Sequence, residues 1–186
     1  MKPPGQDNIY LLGFMGSGKS TVASLLAKRL NRICFDTDAW IETQTGKSIA
    51  RIFRDHGEDY FRAKESECVK VVTEMKHLVV ALGGGIVLKA ENWMKIKSSG
   101  ITIYLKCDLH EIWDRLRGLP ATRPLLSGDS NHQLETIKKL LTQREPYYAR
   151  ADLMISSCQH ESVEVTVKRI QEKLEGRIED SLRRIG

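Results

Sequence analysis

The sequence predicts an α/β protein in which a parallel sheet of five short strands is covered by helices on both faces. Three observations carry that expectation. Short apolar runs recur at residues 9–12, 33–35, 78–82, 101–105 and 153–155, in the manner of strands buried on both sides. Segments with apolar residues at helical spacing separate them, an alternation that calls for parallel strands joined by crossover helices. The chain has 186 residues, 41% hydrophobic and 28% charged, enough for a sizeable core and without a signature of disorder.

Each element follows in order. After the strand at 9–12, residues 21–30 set Val22, Leu25, Leu26 and Leu30 on one helical face. The strand at 33–35 leads to a helix that starts near Ala39 and ends at Gly46. Gly57 reads as a helix C-cap, and a long amphipathic helix follows over 61–75. Strand 78–82, helix 90–97, strand 101–105 and helix 109–117 come next. Residues 118–131, GLPATRPLLSGDSN, are rich in turn formers and break the periodicity, so they read as a mobile surface loop. Helix 134–144 and strand 153–155 precede a last helix over 162–175, where Val163, Val167, Ile170 and Leu174 are spaced at helical intervals. No repeat or linker interrupts the chain, which predicts one domain over 1–186.

The formal charge of +5 suits a binder of small anions, and no platform of interleaved aromatic and basic residues supports nucleic-acid binding. No run approaches the ~18 apolar residues of a membrane span, and the N-terminal MKPPGQDN has no apolar signal region. Cys34, Cys68, Cys107 and Cys158 are scattered with no C-x-x-C pair, the pattern of free thiols in a reducing compartment. The expectation is a cytoplasmic protein, monomeric, without nucleic-acid or membrane partners.

The most informative stretch is Gly13-Phe14-Met15-Gly16-Ser17-Gly18-Lys19-Ser20-Thr21. It fits G-x-x-x-x-G-K-[ST] between a strand and a helix, the context that pattern requires. Glycines let backbone amides close on a phosphate chain, and a helix beginning near Lys19 aims its N-terminal donors at the same anion. Lys19 would reach the β- and γ-phosphates of a nucleotide, and Ser20 would ligate Mg²⁺. A second G-K-S at Gly46-Lys47-Ser48 has Ile41 where the first glycine belongs, and no strand precedes it. Gly46 ending one helix and Ser48 capping the next explains it better. No N-K-x-D pattern appears, and the strand at 78–82 runs into glycines rather than an acid. Both features disfavour translational GTPases and mechanical ATPases.

Several further residues are candidates for the phosphoryl acceptor. Asp36 and Asp38 follow the second strand, at the end where parallel sheets hold ligands. Asp38 can orient or deprotonate a hydroxyl, or cap the helix that follows, and its position is compatible with either. Gly83-Gly84-Gly85 is either a bare turn or a close approach of backbone to ligand. Arg62 and Arg144 are ordinary surface arginines when taken singly, and Arg144 also suits a helix C-terminus. Arg123 lies in the 118–131 loop, from which an arginine can close over phosphates.

In order, GFMGSGKST, D-T-D, GEDYFR, GGG, TRPLL and REPYY resemble the shikimate kinase family over residues 9–155. The resemblance implies a three-layer P-loop kinase of the nucleoside-monophosphate-kinase type with a lid over about 118–131. It implies transfer of the ATP γ-phosphate to the 3-hydroxyl of shikimate, in aromatic amino-acid biosynthesis. Gly13, Met15, Gly16, Ser17, Gly18, Lys19, Ser20 and Thr21 would hold the nucleotide, Arg117 would lie near adenine, and Arg123 would be the lid arginine. Asp38 would contact the acceptor hydroxyls, Arg62 and Arg144 the carboxylate, and Gly84 and Gly85 the ring. Mg²⁺ would sit on Ser20 and, through water, on Asp36. The chain departs from the family in GLPAT at 118–122, where a more glycine-rich lid opening is expected, and its tail beyond about 175 has no assigned role. A kinase of another hydroxy acid such as gluconate, or a catalytically silent nucleotide binder, are the competing expectations.

Overall fold

The computed structural model describes residues 8–117, 130–156 and 161–183. Five strands form one sheet: β1 (Asn8–Leu12), β2 (Ile33–Asp36), β3 (Leu78–Ala81), β4 (Gly100–Lys106) and β5 (Leu153–Ser156). All pairings are parallel, in the order β2-β3-β1-β4-β5. β1 is central, and the chain leaves it on one side for β2 and β3 and crosses to the other for β4 and β5. Such a switch point opens a crevice at the carboxyl ends of the strands.

The helices are α1 (Lys19–Arg29), α2 (Thr37–Thr45), α3 (Ile49–Glu74), α4 (Ala90–Ser99), α5 (Leu109–Leu116), α6 (Ser130–Tyr148) and α7 (Val163–Arg183), with a 3₁₀ turn at Ile86–Leu88. Alternation along β1 sorts them into layers. Ile9 and Leu11 face a core with Val22, Leu26, Val167 and Ile170 of α1 and α7. Tyr10 and Leu12 face the opposite core, with Ile52, Val69 and Val72 of α3, Ile96 of α4, Ile112 of α5 and Ile137 of α6.

Two polar side chains, Asn8 buried and Asp152 partly buried, stitch the layers. Asn8 accepts from Leu78 N at 3.0 Å and donates to Val72 O and Met75 O at 2.9 Å each. Asp152 takes Thr102 N, Thr102 Oγ1, Lys97 Nζ and Arg177 Nη2.

The strands and the first helix stand within a residue or two of expectation, and other boundaries move. The sequence reading marks a helix after Ser48 and a C-cap at Gly57 without giving bounds between them, and residues 49–56 form the first part of α3. Gly57, at φ 82° and ψ 178°, is non-helical and divides α3 into two helical stretches, so it ends the first of them as the sequence reading expects. α6 begins at Ser130 and runs through Pro146 to Tyr148, so residues 130–131 are helix rather than loop and Arg144 lies inside it. α7 extends to Arg183, past the expected end at 175. Gly46 (φ 63°) closes α2, and Ser48 accepts from Arg51 N at 3.3 Å to cap α3, so the second G-K-S is a helix junction. Residues 118–129, with Arg123, and Cys158 lie outside the described residues. Cys34 is exposed and Cys68 and Cys107 are buried, all as free thiols.

Candidate active site

The turn from β1 into α1 forms the phosphate-facing half of the crevice. Gly16 and Gly18 adopt φ of 79° and 87°, which side chains other than glycine rarely accept. Gly18 stands at the N-terminus of α1, and Lys19 Nζ spans the loop, donating to Gly13 O at 2.9 Å and Phe14 O at 2.8 Å. Ser20 Oγ donates to Asp36 Oδ2 at 2.6 Å. Over these groups lies a cavity of about 240 Å³, lined by Gly16, Gly18, Lys19, Ser20 and Thr21 on one side and by Asp36 and Asp38 on the other.

The structure separates the two acids after β2. Asp36, not Asp38, is the N-cap of α2: its Oδ1 accepts from Asp38 N at 2.9 Å and Ala39 N at 3.2 Å. Asp38 sits within the first helical turn, one residue past the helix start, and lines both cavities of the crevice. Thr37 between them locks α2 to the glycine turn, donating to Ala81 O at 3.2 Å and accepting from Gly83 N at 2.8 Å.

A second cavity of about 380 Å³ has Asp38, Phe53, Phe61, Arg62, Glu65 and Arg144 among its walls. It adjoins the first, and Met15, Asp38 and Gly84 line both. The glycines after β3 make the junction possible. A side chain on Gly83 would fall 2.6 Å from Asp38 Oδ1 and 3.2 Å from Glu65 Oε1, and one on Gly85 would collide with the Arg62 guanidinium. The triple glycine is therefore a close approach and not a bare turn.

Arg62 is held on both edges. Nε and Nη2 donate to Glu58 Oε1 at 3.1 and 2.7 Å, and Nη1 donates to Glu65 Oε2 at 2.8 Å. Glu58 is half exposed, whereas the Glu65 side chain is 2% exposed. Burial pushes the Glu65 carboxyl up to about 7, with the nearby Asp38 charge adding to the rise and Arg62 opposing it. Arg144 is also buried, with its guanidinium 5.8 Å from the centre of the Phe14 ring. Its neighbour one turn later, Tyr148, donates its hydroxyl to Gly84 O at 2.6 Å.

The structure thus brings Lys19, Ser20, Asp36, Asp38, Arg62, Gly84, Gly85 and Arg144 into one crevice. Arg117 is the C-cap residue of α5 and pairs with Asp114 at 3.1 Å. Arg115 reaches the phosphate loop, with Nη1 donating to Gly16 O at 3.1 Å. Glu65, Tyr148, Thr37 and Arg115 are absent from the sequence-derived set. Helical spacing held a signal for two of them, since Glu65 is three residues from Arg62 and Tyr148 four from Arg144.

Comparison with known proteins agrees with this arrangement. The family model described as shikimate kinase matches residues 15–175. A shikimate kinase of Persephonella marina is 43% identical over 150 residues, covering 81% of this chain and 88% of the relative. One from Synechococcus elongatus is 40% identical over 174 residues, covering 94% and 90%. Among solved structures, shikimate kinase from Acinetobacter baumannii in complex with shikimate superposes with a TM-score of 0.86 at 34% identity, over 93% of this chain and 96% of that one. Deoxyadenosine kinase from M. mycoides, at 17% identity and a TM-score of 0.57 over 91% and 99%, shares the fold. With the family pattern spanning most of its length and relatives at about two-fifths identity across nearly all of it, the chain belongs to the shikimate kinase family.

Proposed function

We propose that the chain transfers the γ-phosphoryl group of ATP to the 3-hydroxyl of shikimate, giving shikimate 3-phosphate and ADP in aromatic amino-acid biosynthesis, and that the two joined cavities divide the substrates. The observation that carries this reading is their meeting at Asp38, Met15 and Gly84. A phosphate cradle opens directly into a pocket that holds two arginines and an acid, which suits a small hydroxylated carboxylate.

In this reading Gly13 to Thr21 hold the triphosphate and Lys19 meets its charge, with Arg115 steadying the loop. Arg62 and Arg144 take the shikimate carboxylate, for which the exposed Glu58 gives up its hold on Arg62. Gly84 and Gly85 let the ring lie close to the backbone. Asp38 orients the 3-hydroxyl and takes its proton as the oxygen bonds to the γ-phosphorus and the bond to the β-phosphate oxygen breaks. Arg123 acts from the lid. The Ser20 hydroxyl and Asp36 carboxylate, hard oxygens 2.6 Å apart, fit Mg²⁺, which usually takes one or two protein ligands beside phosphates and waters. No group of three or more acidic, histidine or cysteine ligands occurs among the described residues, and this ion does not require one. When bound, it would neutralise charge on the β- and γ-phosphates.

The same reading takes the chain as one cytoplasmic, monomeric kinase domain without nucleic-acid or membrane partners. No described helix is long and apolar enough to cross a membrane. The test is ADP release from Mg·ATP with shikimate, gluconate or a nucleoside monophosphate as acceptor, with the product identified by mass. Stimulation by shikimate alone, yielding a singly phosphorylated product, is the expected result. Stimulation by gluconate instead would reassign the acid pocket, and ATP binding without turnover on any acceptor would mark a silent nucleotide binder.

A further inference from the structure

Tyr148 ends α6 and is fully buried, with its ring against Tyr104 at a centroid distance of 5.4 Å. Its hydroxyl lies between two walls of the acid pocket. It donates to Gly84 O at 2.6 Å. Arg144 stands one helical turn earlier on the same face, and its guanidinium lies beside the same point. A methyl group on Gly84 would be 3.4 Å from Tyr148 Oη and 3.5 Å from Arg144 Nη1. A phenol has one proton to donate, and here Gly84 receives it. The oxygen's lone pairs then suit a partner that only donates, and a guanidinium is such a partner. Burial pushes the phenol up to about 12, while the charge of the nearby Arg144 acts in the opposite direction.

We propose that Tyr148 is a positioning residue for the acceptor substrate, its hydroxyl holding the Gly84 carbonyl beside the Arg144 guanidinium so that the two walls of the acid pocket keep a fixed relation. Every described peptide bond is trans, so the Gly85 N–H points opposite to the Gly84 carbonyl. The hydrogen bond from Tyr148 therefore also sets the direction of the Gly85 amide, away from the tyrosine. The turn is also anchored by Gly83 N on Thr37 Oγ1, Ile86 N on Gly83 O and Leu88 N on Gly85 O. The inference rests on the acid pocket being the shikimate site.

The experiment is Tyr148→Phe, which keeps the ring and its stacking and removes only the hydroxyl. Calorimetry without nucleotide should give a shikimate Kd about tenfold weaker, as for loss of a hydrogen bond to a charged group. The shikimate KM should rise in parallel, while kcat and the ATP KM stay within about twofold. The fitted stoichiometry reports the folded fraction, so misfolding is not mistaken for weak binding. In an Arg144→Ala background the same substitution should change kcat/KM for shikimate by less than about threefold, because the residue acts through a side chain already removed. A shikimate Kd within about twofold of wild type, a loss confined to kcat or to ATP, or full additivity with Arg144→Ala would overturn the proposal. Failure of the wild-type protein to bind and phosphorylate shikimate would instead overturn the reading of the pocket.

Discussion

Replacing Glu65 with glutamine removes a titrating group from the buried floor of the acid pocket while preserving shape and an acceptor for Arg62. Two effects compete at this carboxyl. Burial disfavours its charge, and the Asp38 carboxylate across Gly83 adds to that, whereas the Arg62 guanidinium at 2.8 Å favours the charge. Burial prevails, taking the group from its ordinary 4.5 to about 7. Between those values the folded protein keeps the proton and the unfolded chain releases it. The stabilisation linked to the group is thus fully present below about pH 4.5 and is lost as the pH rises through 7, a total of roughly 3 kcal/mol. The side chain is 2% exposed, so solvent screening does not reduce that figure much. Urea denaturation of wild type and Glu65→Gln at about pH 5 and about pH 8 is the assay. The stability of wild type relative to the variant should fall by about 2–3 kcal/mol between the two. A relative stability that rises with pH would mean that pairing with Arg62 outweighs burial, and a flat difference would mean that Glu65 does not titrate in this range. Either result refutes the reasoning.

Asp38→Asn should lower kcat by about 10²–10⁴, the range for losing a general base, with ATP affinity near wild type; steady-state kinetics that retain most activity would remove Asp38 from proton transfer. Arg62→Ala should weaken shikimate binding by about 2–5 kcal/mol, as for truncating one partner of a buried charged pair; an unchanged shikimate KM would make Arg62 an ordinary helix-surface arginine. Gly85→Ala should fold, since φ is −99° there, but its methyl collides with Arg62. The expected rise in shikimate KM is roughly tenfold or more, as for a misplaced substrate-positioning group, and an unaltered KM would show that Arg62 moves aside at no cost. Asp152→Ala leaves Thr102 N and Oγ1 without their acceptor, and denaturant melts should show a loss of about 1–3 kcal/mol; an unchanged midpoint would remove Asp152 as a joint between β4, β5, α4 and α7.

The phosphate loop was legible in the chain because its chemistry is local. Gly13, Gly16, Gly18, Lys19 and Ser20 lie within eight consecutive residues, and the spacing already states what the backbone must approach. The strands were legible for a similar reason, since β1, β3 and β4 are apolar on both faces and short. Asp38, Arg62, Gly84, Gly85 and Arg144 could be named from ordered motifs, but not joined. Their convergence comes from α2, α3, the turn after β3 and α6, segments that only the packed sheet brings to one crevice.

Other features required the path of the backbone. Asp38 reads on paper as a possible cap, and the helix start at Thr37 gives that place to Asp36. Arg115 and Arg117 differ by two positions on one helix, which turns them to different sides, and only the seating of α5 beside the loop selects Arg115. Residues 49–56 mix Ile49, Ile52 and Phe53 with Arg51, Arg54 and Asp55, a helix that the sequence marks only by its ends, Ser48 and Gly57, and whose seating shows once Ile52 is buried against the core. Local rules reach about one helical turn along the chain, and they set the loop, the strands and the residue types. The basicity of Glu65, the hold on Arg62 and the tie from Tyr148 to Gly84 depend on burial and on partners far away in sequence, and those arise only when the layers close.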